Sequence, residues 1–242
     1  MAINLYSGSL RNYYSRNFVT PIEKVARDTG MTYRLVSDID YLSLSETPKK
    51  VGRFVEKINA RLDGTATWDE LEKDYFCSQI PEESYLALKA HTRRHYLELP
   101  QHSTVDDLSR TPELNGKDYI DSFEAHLEMH MFVPSRLRGF ILEKNPLGLR
   151  CAISTHAELR IGLNHIIDNV FDPSSRGGLH DGLSRRLLST IVTFAGKPKP
   201  EDRIRATVSE DYPDRTAEYA LGIYCEALAF GEARNLPVIL DT

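Results

Sequence analysis

The spacing of hydrophobic and polar residues changes along the chain. Over residues 1–75 it predicts a series of short helices, and over 83–100 it predicts another helix, which Pro100 ends. In the segment 122–133, apolar odd positions alternate with polar even positions as far as His130, and this alternation, which replaces the helical spacing, is the pattern of a half-buried strand. This change of period divides the sequence into a helical first part and a mixed second part.

The second part combines strand and helix patterns. Strands are predicted over 148–154, 202–210 and the final VILDT segment, and helices are predicted over 156–170, 179–193 and 214–234. The sequence therefore predicts an α+β fold, in which a helical N-terminal domain precedes an α+β domain.

The segment 20–40 has the residue spacing of a helix-turn-helix. Ala26 precedes Gly30 by four positions and Val36 by ten. The small alanine lets a second helix approach closely, and the glycine supplies the positive φ that the tight turn requires. Thr20 is suited to capping the first helix, and Pro21 is suited to its first turn.

VARDTGMTYRLVSDI resembles the helix-turn-helix of lac-repressor-type headpieces and of Cro-type phage repressors. GSLRNYYSRNFV at 8–19 is similar to the first helix of that family, SETPKKVGRFVEKINARLDG at 45–64 to its fourth, and WDEL at 68–71 to its last. The resemblance implies a DNA-binding domain over 8–75. The remainder, 80–242, would then form a domain that dimerises the protein or senses a small-molecule or protein ligand.

The same resemblance implies that double-stranded DNA is the partner. Because one small headpiece buries too little surface for tight binding, we expect a homodimer to bind two half-sites. Arg34 would read a guanine through a bidentate pair, and Thr32 would contact a phosphate or a thymine methyl group. Because residues 1–75 hold 11 Lys and Arg against 11 Asp and Glu, DNA affinity requires that these charges lie on different faces. The implied DNA-contacting residues are Arg27, Thr32, Tyr33, Arg34, Ser37, Lys49 and Lys50.

A different fold also fits the N-terminal sequence. INLY and MTYRLVSDI alternate well enough to be neighbouring strands, with the segment 20–29 as a helix between them. The chain would then be a single α/β domain. With a net charge of -5, such a protein would suit binding to a protein partner, for example neutralising a toxin through an acidic surface.

The alternating segment carries the one candidate metal site. His126, Glu128 and His130 would share one face of the predicted strand, and imidazole with carboxylate is a ligand set for zinc or iron. This arrangement predicts a metal-dependent enzyme. The alternative is a solvated polar strand face that needs no cofactor.

The remaining sequence features indicate a soluble protein without a catalytic motif. Among 242 residues, Cys77, Cys151 and Cys225 are far apart, which is typical of reduced cytoplasmic thiols. We find neither a signal-peptide pattern nor an apolar run of membrane-spanning length. No catalytic residues are predicted. The leading hypothesis is a cytoplasmic, dimeric DNA-binding regulator of transcription, with the metal enzyme and the acidic binding protein as alternatives.

Overall fold

The computed structural model describes residues 2–30, 41–99, 110–170 and 213–241, which form a mixed sheet and the helices around it. The strands are β1 (Ala2–Ser7), β2 (Phe76–Pro81), β3 (Met131–Val133), β4 (Ile141–Lys144), β5 (Arg150–Thr155) and β6 (Val238–Asp241). The helices are α1 (Leu10–Tyr14), α2 (Pro21–Asp28), α3 (Thr47–Arg61), α4 (Glu82–Tyr96), α5 (Gly116–Asp121), α6 (Glu124–Leu127), α7 (His156–His165, continuing as a π-helical turn over Ile166–Val170) and α8 (Pro213–Arg234). Helices together with a mixed sheet confirm the predicted α+β class.

The sheet brings the first and last strands of the chain together. Its order is β2-β1-β6-β3-β5-β4, and β6 is antiparallel to both of its neighbours. Leu240 lies opposite Leu5 of β1, and Ile239 lies opposite Met131 of β3. β5 continues the sheet parallel to β3 and antiparallel to β4. β6 therefore joins the N-terminal strands to those from the middle of the sequence.

Helix α3 packs one apolar face into the core beside the sheet. Val51, Phe54 and Ile58 recur at intervals of three and four residues and are buried. They share one hydrophobic cluster with Met131 and Ile153, two residues that pair between β3 and β5. The helix that the family resemblance implied over 45–64 thus forms as α3, over Thr47–Arg61.

Aromatic side chains fix the position of α1. The ring centroid of Tyr6 in β1 lies 5.3 Å from that of Tyr13 and 4.8 Å from that of Phe18. Tyr13 and Phe18 stack with their centroids 5.8 Å apart, and all three residues are buried. Such rings contribute large apolar areas and restrict one another's geometry, so α1 is held tightly next to β1.

The described chain forms two compact units. The sheet unit comprises Ala2–Gln79, Glu128–Arg160 and Glu226–Thr242, and the helical unit comprises Ile80–Leu127 and Ile161–Cys225. The sequence had suggested one division between 75 and 80. In the structure the two units divide between Gln79 and Ile80, inside β2, and again after α6, inside α7 and inside α8.

Several N-terminal expectations are confirmed at the level of single elements. Thr20 and Glu23 form a reciprocal capping box at the start of α2, and Pro21 occupies its first turn. Gly30 follows the helix with a φ of 69°, which is the conformation expected for the turn. The INLY segment lies in β1, as the alternative fold predicted. The segment 31–40, which includes the predicted second helix of the pair and MTYRLVSDI, lies outside the described residues.

Later helices and strands also follow the sequence closely. The predicted segments 83–100, 148–154, 156–170, 214–234 and VILDT correspond to α4, β5, α7 with its π-helical turn, α8 and β6. The predicted helix over 179–193 and strand over 202–210 lie outside the described residues.

The short helix predicted over WDEL is wrong, because residues 68–71 form turns and irregular backbone. The segment instead sends the Glu70 side chain to the start of α1, where its carboxylate accepts hydrogen bonds from the backbone amides of Leu10 and Arg11. These long-range bonds replace the local ones that a helix would have formed.

The long strand predicted over 122–133 is also wrong except at its end. Residues 124–127 form α6, and only Met131–Val133 belong to the sheet. Glu124, expected on a solvated face, is buried and pairs with Arg93 at 2.5 Å and with Lys89 at 3.8 Å. These two cations neutralise the Glu124 carboxylate inside the helical unit. A charged residue at this position of the sequence therefore does not indicate that the position is exposed to solvent.

Candidate functional site

A cleft rich in positive charge lies in the N-terminal part of the sheet unit. Its volume is about 640 Å³, and its walls come from α1, the segment that leads to α2, α2 itself and residues 70–75. Four cationic side chains line it, with Glu70 as the one carboxylate among the lining residues of this described region. We call this the cationic cleft. Its cations are Arg11, Arg16, Arg27 and Lys73.

Glu70 holds the wall of the cleft that α1 provides. Its carboxylate accepts hydrogen bonds from the amides of Arg11, at 2.8 Å, and Leu10, at 3.4 Å, and from the indole N–H of Trp68. Burial raises the pKa of Glu70, although these donors stabilise its ionised form. The carboxylate thus satisfies amides at the start of α1 that have no partner within the helix.

Arg16 is fixed in place between the helices. The residue has a φ of 56°, and its guanidinium donates to the Phe18 carbonyl at 2.9 Å and to Glu23 at 3.0 Å. The same guanidinium lies 4.1 Å from the centroid of the Phe18 ring. Burial alone would raise the pKa of Glu23, but hydrogen bonds from Thr20 and the charge of Arg16 together lower it. Arg16 is therefore pre-organised, with part of its charge balanced by Glu23.

Arg11 leaves a donor unused. Its Nε atom is buried and has no hydrogen-bond partner within the described part of the chain, while its backbone is bound to Glu70. A buried donor without a partner is costly, and a guanidinium pairs readily with the oxygens of a phosphate or a carboxylate. With Arg11, Arg16, Arg27 and Lys73 among its lining residues, the cationic cleft has the chemistry of a site for an oxyanion.

The structure places three of the predicted DNA-contacting residues. Arg27 is exposed in the last turn of α2 and lines the cationic cleft. Lys49 and Lys50 are exposed near the start of α3, and the Lys50 ammonium lies 3.3 Å from the Glu46 carboxylate. The other four lie outside the described residues: Thr32, Tyr33, Arg34 and Ser37.

The three predicted metal ligands do not share a strand face. His126 is buried in α6, Glu128 is half-buried in the following segment, and His130 is exposed just before β3. His130 Nδ1 accepts a hydrogen bond of 3.3 Å from the amide of Ala152. Within the described ranges, no group of three or more His, Cys, Asp or Glu side chains is arranged to hold a metal ion. The expected common face depended on the strand that does not form.

Sequence reasoning missed three cations of the cleft, Arg11, Arg16 and Lys73. They come from segments about 60 residues apart in sequence, which Glu70 joins by bonding to the α1 amides. The spacing of residues within either segment does not indicate that the two segments are in contact. The nearest available clue was Glu70 itself, an acidic residue two positions after Trp68 with no predicted partner.

Comparisons with protein-family models, with curated proteins and with solved structures found no significant match. Among the helices of the described residues, none is long and apolar enough to cross a membrane.

Proposed function

We propose that the protein is a DNA-binding regulator that holds phosphates of a DNA duplex in the cationic cleft and along the exposed end of α2. The observation that carries the proposal is the set of four cations that line the cleft, Arg11, Arg16, Arg27 and Lys73, with Glu70 as the one carboxylate among its described lining residues. Residues 1–75 carry equal numbers of positive and negative charges, so DNA affinity requires that positive charges collect on one face. A cleft lined by four cations and one carboxylate meets this requirement.

Arg27 connects the cleft to the helix-turn-helix hypothesis. It lines the cleft and also lies in the last turn of α2, directly before the turn at Gly30. Phosphate contacts from such a position would fix the register of the following segment on the duplex, and Thr32, Tyr33, Arg34 and Ser37 would then read base edges. In this proposal Lys49 and Lys50 contact the flanking backbone.

The proposal includes a homodimer in the cytoplasm. A single small DNA-binding segment gives modest affinity, and two copies on adjacent half-sites raise it through effective concentration. Analytical ultracentrifugation of the full chain, with and without duplex DNA, tests this part. A 1:1 complex with an isolated half-site duplex, without any dimer on a two-site duplex, would contradict it.

The decisive test is fluorescence anisotropy of the full chain with a random duplex pool, titrated over salt concentration. Each phosphate contact adds about 0.9 to the slope of log affinity against log salt, so Arg11→Ala and Arg27→Ala should each lower it by roughly that amount. Lys117→Ala is the matched control, because Lys117 is an exposed cation of the helical unit and lies outside the cleft. Equal slopes in all three variants, or no binding by the unmodified protein at low salt, would refute the proposal.

A further inference from the structure

Asn115 and Gly116 form an exposed pair of residues in the helical unit. Asn115 lies directly before α5, and Gly116 is the first residue of that helix. Asn115 is also the only asparagine of the 242-residue sequence that a glycine follows. The side-chain carbonyl carbon of an asparagine can reach the next backbone nitrogen most easily when that next residue is glycine, because no Cβ hinders the approach. The pair therefore has the composition of a site at which a chain modifies itself.

The Asn115 side chain is not held in place by a hydrogen bond. It makes no capping bond to α5 and has no other hydrogen-bond partner within the described part of the chain. Other asparagines differ, since the side-chain oxygen of Asn59 accepts from the Ala66 amide at 3.2 Å and that of Asn145 accepts from the Leu149 amide at 3.0 Å. A hydrogen bond that must first break slows a reaction of the side-chain amide up to about tenfold.

The backbone nitrogen of Gly116 is accessible to the Asn115 side chain. The first backbone amides of a helix have no acceptor within it, and the Gly116 N–H donates no hydrogen bond to any of the described residues. A Cβ added at Gly116 would meet no atom within 4 Å, so the space beside this residue is open. Neither the nitrogen nor the side chain that would approach it must therefore leave an existing contact before they react.

We propose that Asn115 deamidates spontaneously in the folded protein, through a cyclic imide that its side chain forms with the Gly116 nitrogen. Hydroxide removes the proton of the Gly116 N–H, and the nitrogen attacks Cγ of Asn115. The bond from Cγ to Nδ2 then breaks, and ammonia leaves after it takes a proton from water. Water opens the ring at either of its carbonyl groups, which leaves aspartate or isoaspartate at position 115. The site lies in the helical unit and does not depend on the DNA-binding proposal.

The two products change the start of α5 in different ways. Both add a negative charge directly before the helix. Aspartate keeps the normal backbone and suits this position, because its carboxylate can cap the first amides. Isoaspartate places a further carbon atom in the main chain between residues 115 and 116 and so alters the backbone at which α5 begins. That helix is joined to α4 by the Tyr96 hydroxyl, which donates to the Asp118 carboxylate at 2.8 Å.

Incubation of the folded full chain between pH 7 and pH 9, followed by tryptic digestion and mass spectrometry of the peptide 111–117, tests the proposal. Relative to a sample that is not incubated, we expect the peptide to gain the mass difference between an amide and an acid. Electron-transfer fragmentation should identify isoaspartate among the products, because only the cyclic imide gives it. The rate should rise about tenfold per pH unit, since the deprotonated fraction of a group whose pKa lies above the pH rises by that factor.

Controls within the same chain separate this reaction from general ageing. Asn59 should deamidate at least about tenfold more slowly than Asn115, because its side chain is hydrogen-bonded. Asn145 should stay intact, because Pro146 has no N–H to react. The matched variant Asn115→Gln keeps an amide but must close a larger ring, so its loss should be at least about tenfold slower.

The same incubation in urea shows whether the fold leaves the site free. We expect Asn115 to react in the folded chain at a rate within about tenfold of that in the unfolded chain, since no hydrogen bond must break first. A folded rate further below the unfolded one would overturn the proposal. So would an intact Asn115 at pH 9, aspartate without isoaspartate, or a faster reaction at Asn59.

Discussion

Replacing Glu70 with glutamine should change stability and DNA affinity in opposite directions. The carboxylate accepts from the amides of Leu10 and Arg11 and from the indole of Trp68. A glutamine keeps one acceptor oxygen and turns the other position into a donor, which faces donors that are already there. With at least one bond to a charged acceptor lost, we expect the free energy of unfolding to fall by about 1–3 kcal/mol.

The same change removes the carboxylate that lines the cationic cleft. A unit charge about 6 Å from a bound phosphate costs about 0.7 kcal/mol in water, so Glu70→Gln should tighten DNA binding about threefold at low salt. The gain should shrink as salt is added, because the interaction is screened. General damage to the fold would lower both the stability and the affinity for DNA. Lower stability together with tighter DNA binding therefore distinguishes the proposed role of Glu70 from such damage.

Urea denaturation and anisotropy on the same preparations give both readouts. Measurement at pH 8 favours the ionised form of Glu70, whose pKa burial raises. Glu56→Gln is the control, because Glu56 is exposed on α3 and lies outside the cleft. Unchanged stability of Glu70→Gln would show that the carboxylate does not hold α1. Unchanged or weaker DNA binding would show that phosphate does not enter the cleft.

Three further substitutions test the packing and the buried charges. The pKa of His156 is lowered to about 4 from 6.5, chiefly by burial, so the unfolded state binds the proton more readily. The contribution of neutral His156 to the free energy of unfolding should therefore be fully present above pH 6.5, and about 3 kcal/mol should be lost as the pH falls to 4. In urea denaturation, His156→Gln should remove this pH dependence. Gly231→Ala should cost about 1–3 kcal/mol in thermal unfolding, because its Cβ would lie 2.8 Å from a backbone oxygen, whereas Gly52→Ala, with open space, should not destabilise. Glu124→Ala should cost about 3–5 kcal/mol in urea denaturation, because it leaves Arg93 without its buried partner, and a loss below about 1 kcal/mol would contradict that role.

Local signals allowed α2, with its cap and the turn that follows it, to be predicted. The cap at Thr20 and the turn at Gly30 depend on interactions within a few residues, and both appear as the sequence indicated. The failure over 122–133 has the opposite cause. Glu124 is polar but buried, because Arg93 of α4 neutralises it, and no periodicity within the segment records a partner 31 residues away.

The candidate site shows the same division. Arg27 could be chosen from the sequence because it belongs to a recognisable helix. Arg11 became a candidate only through its position, since an arginine beside tyrosines is ordinary until its Nε proves buried and without a partner among the described residues.

The central place of β6 affects how the protein matures during translation. More than two hundred residues separate β1 from its antiparallel partner β6, and all of them must be synthesised before the two strands can pair. Contacts this distant in sequence form late and slow the folding of a chain. The cationic cleft is built on α1, which packs on β1. A chain cut before β6 would therefore carry the arginines of the cleft without the strand that pairs with β1.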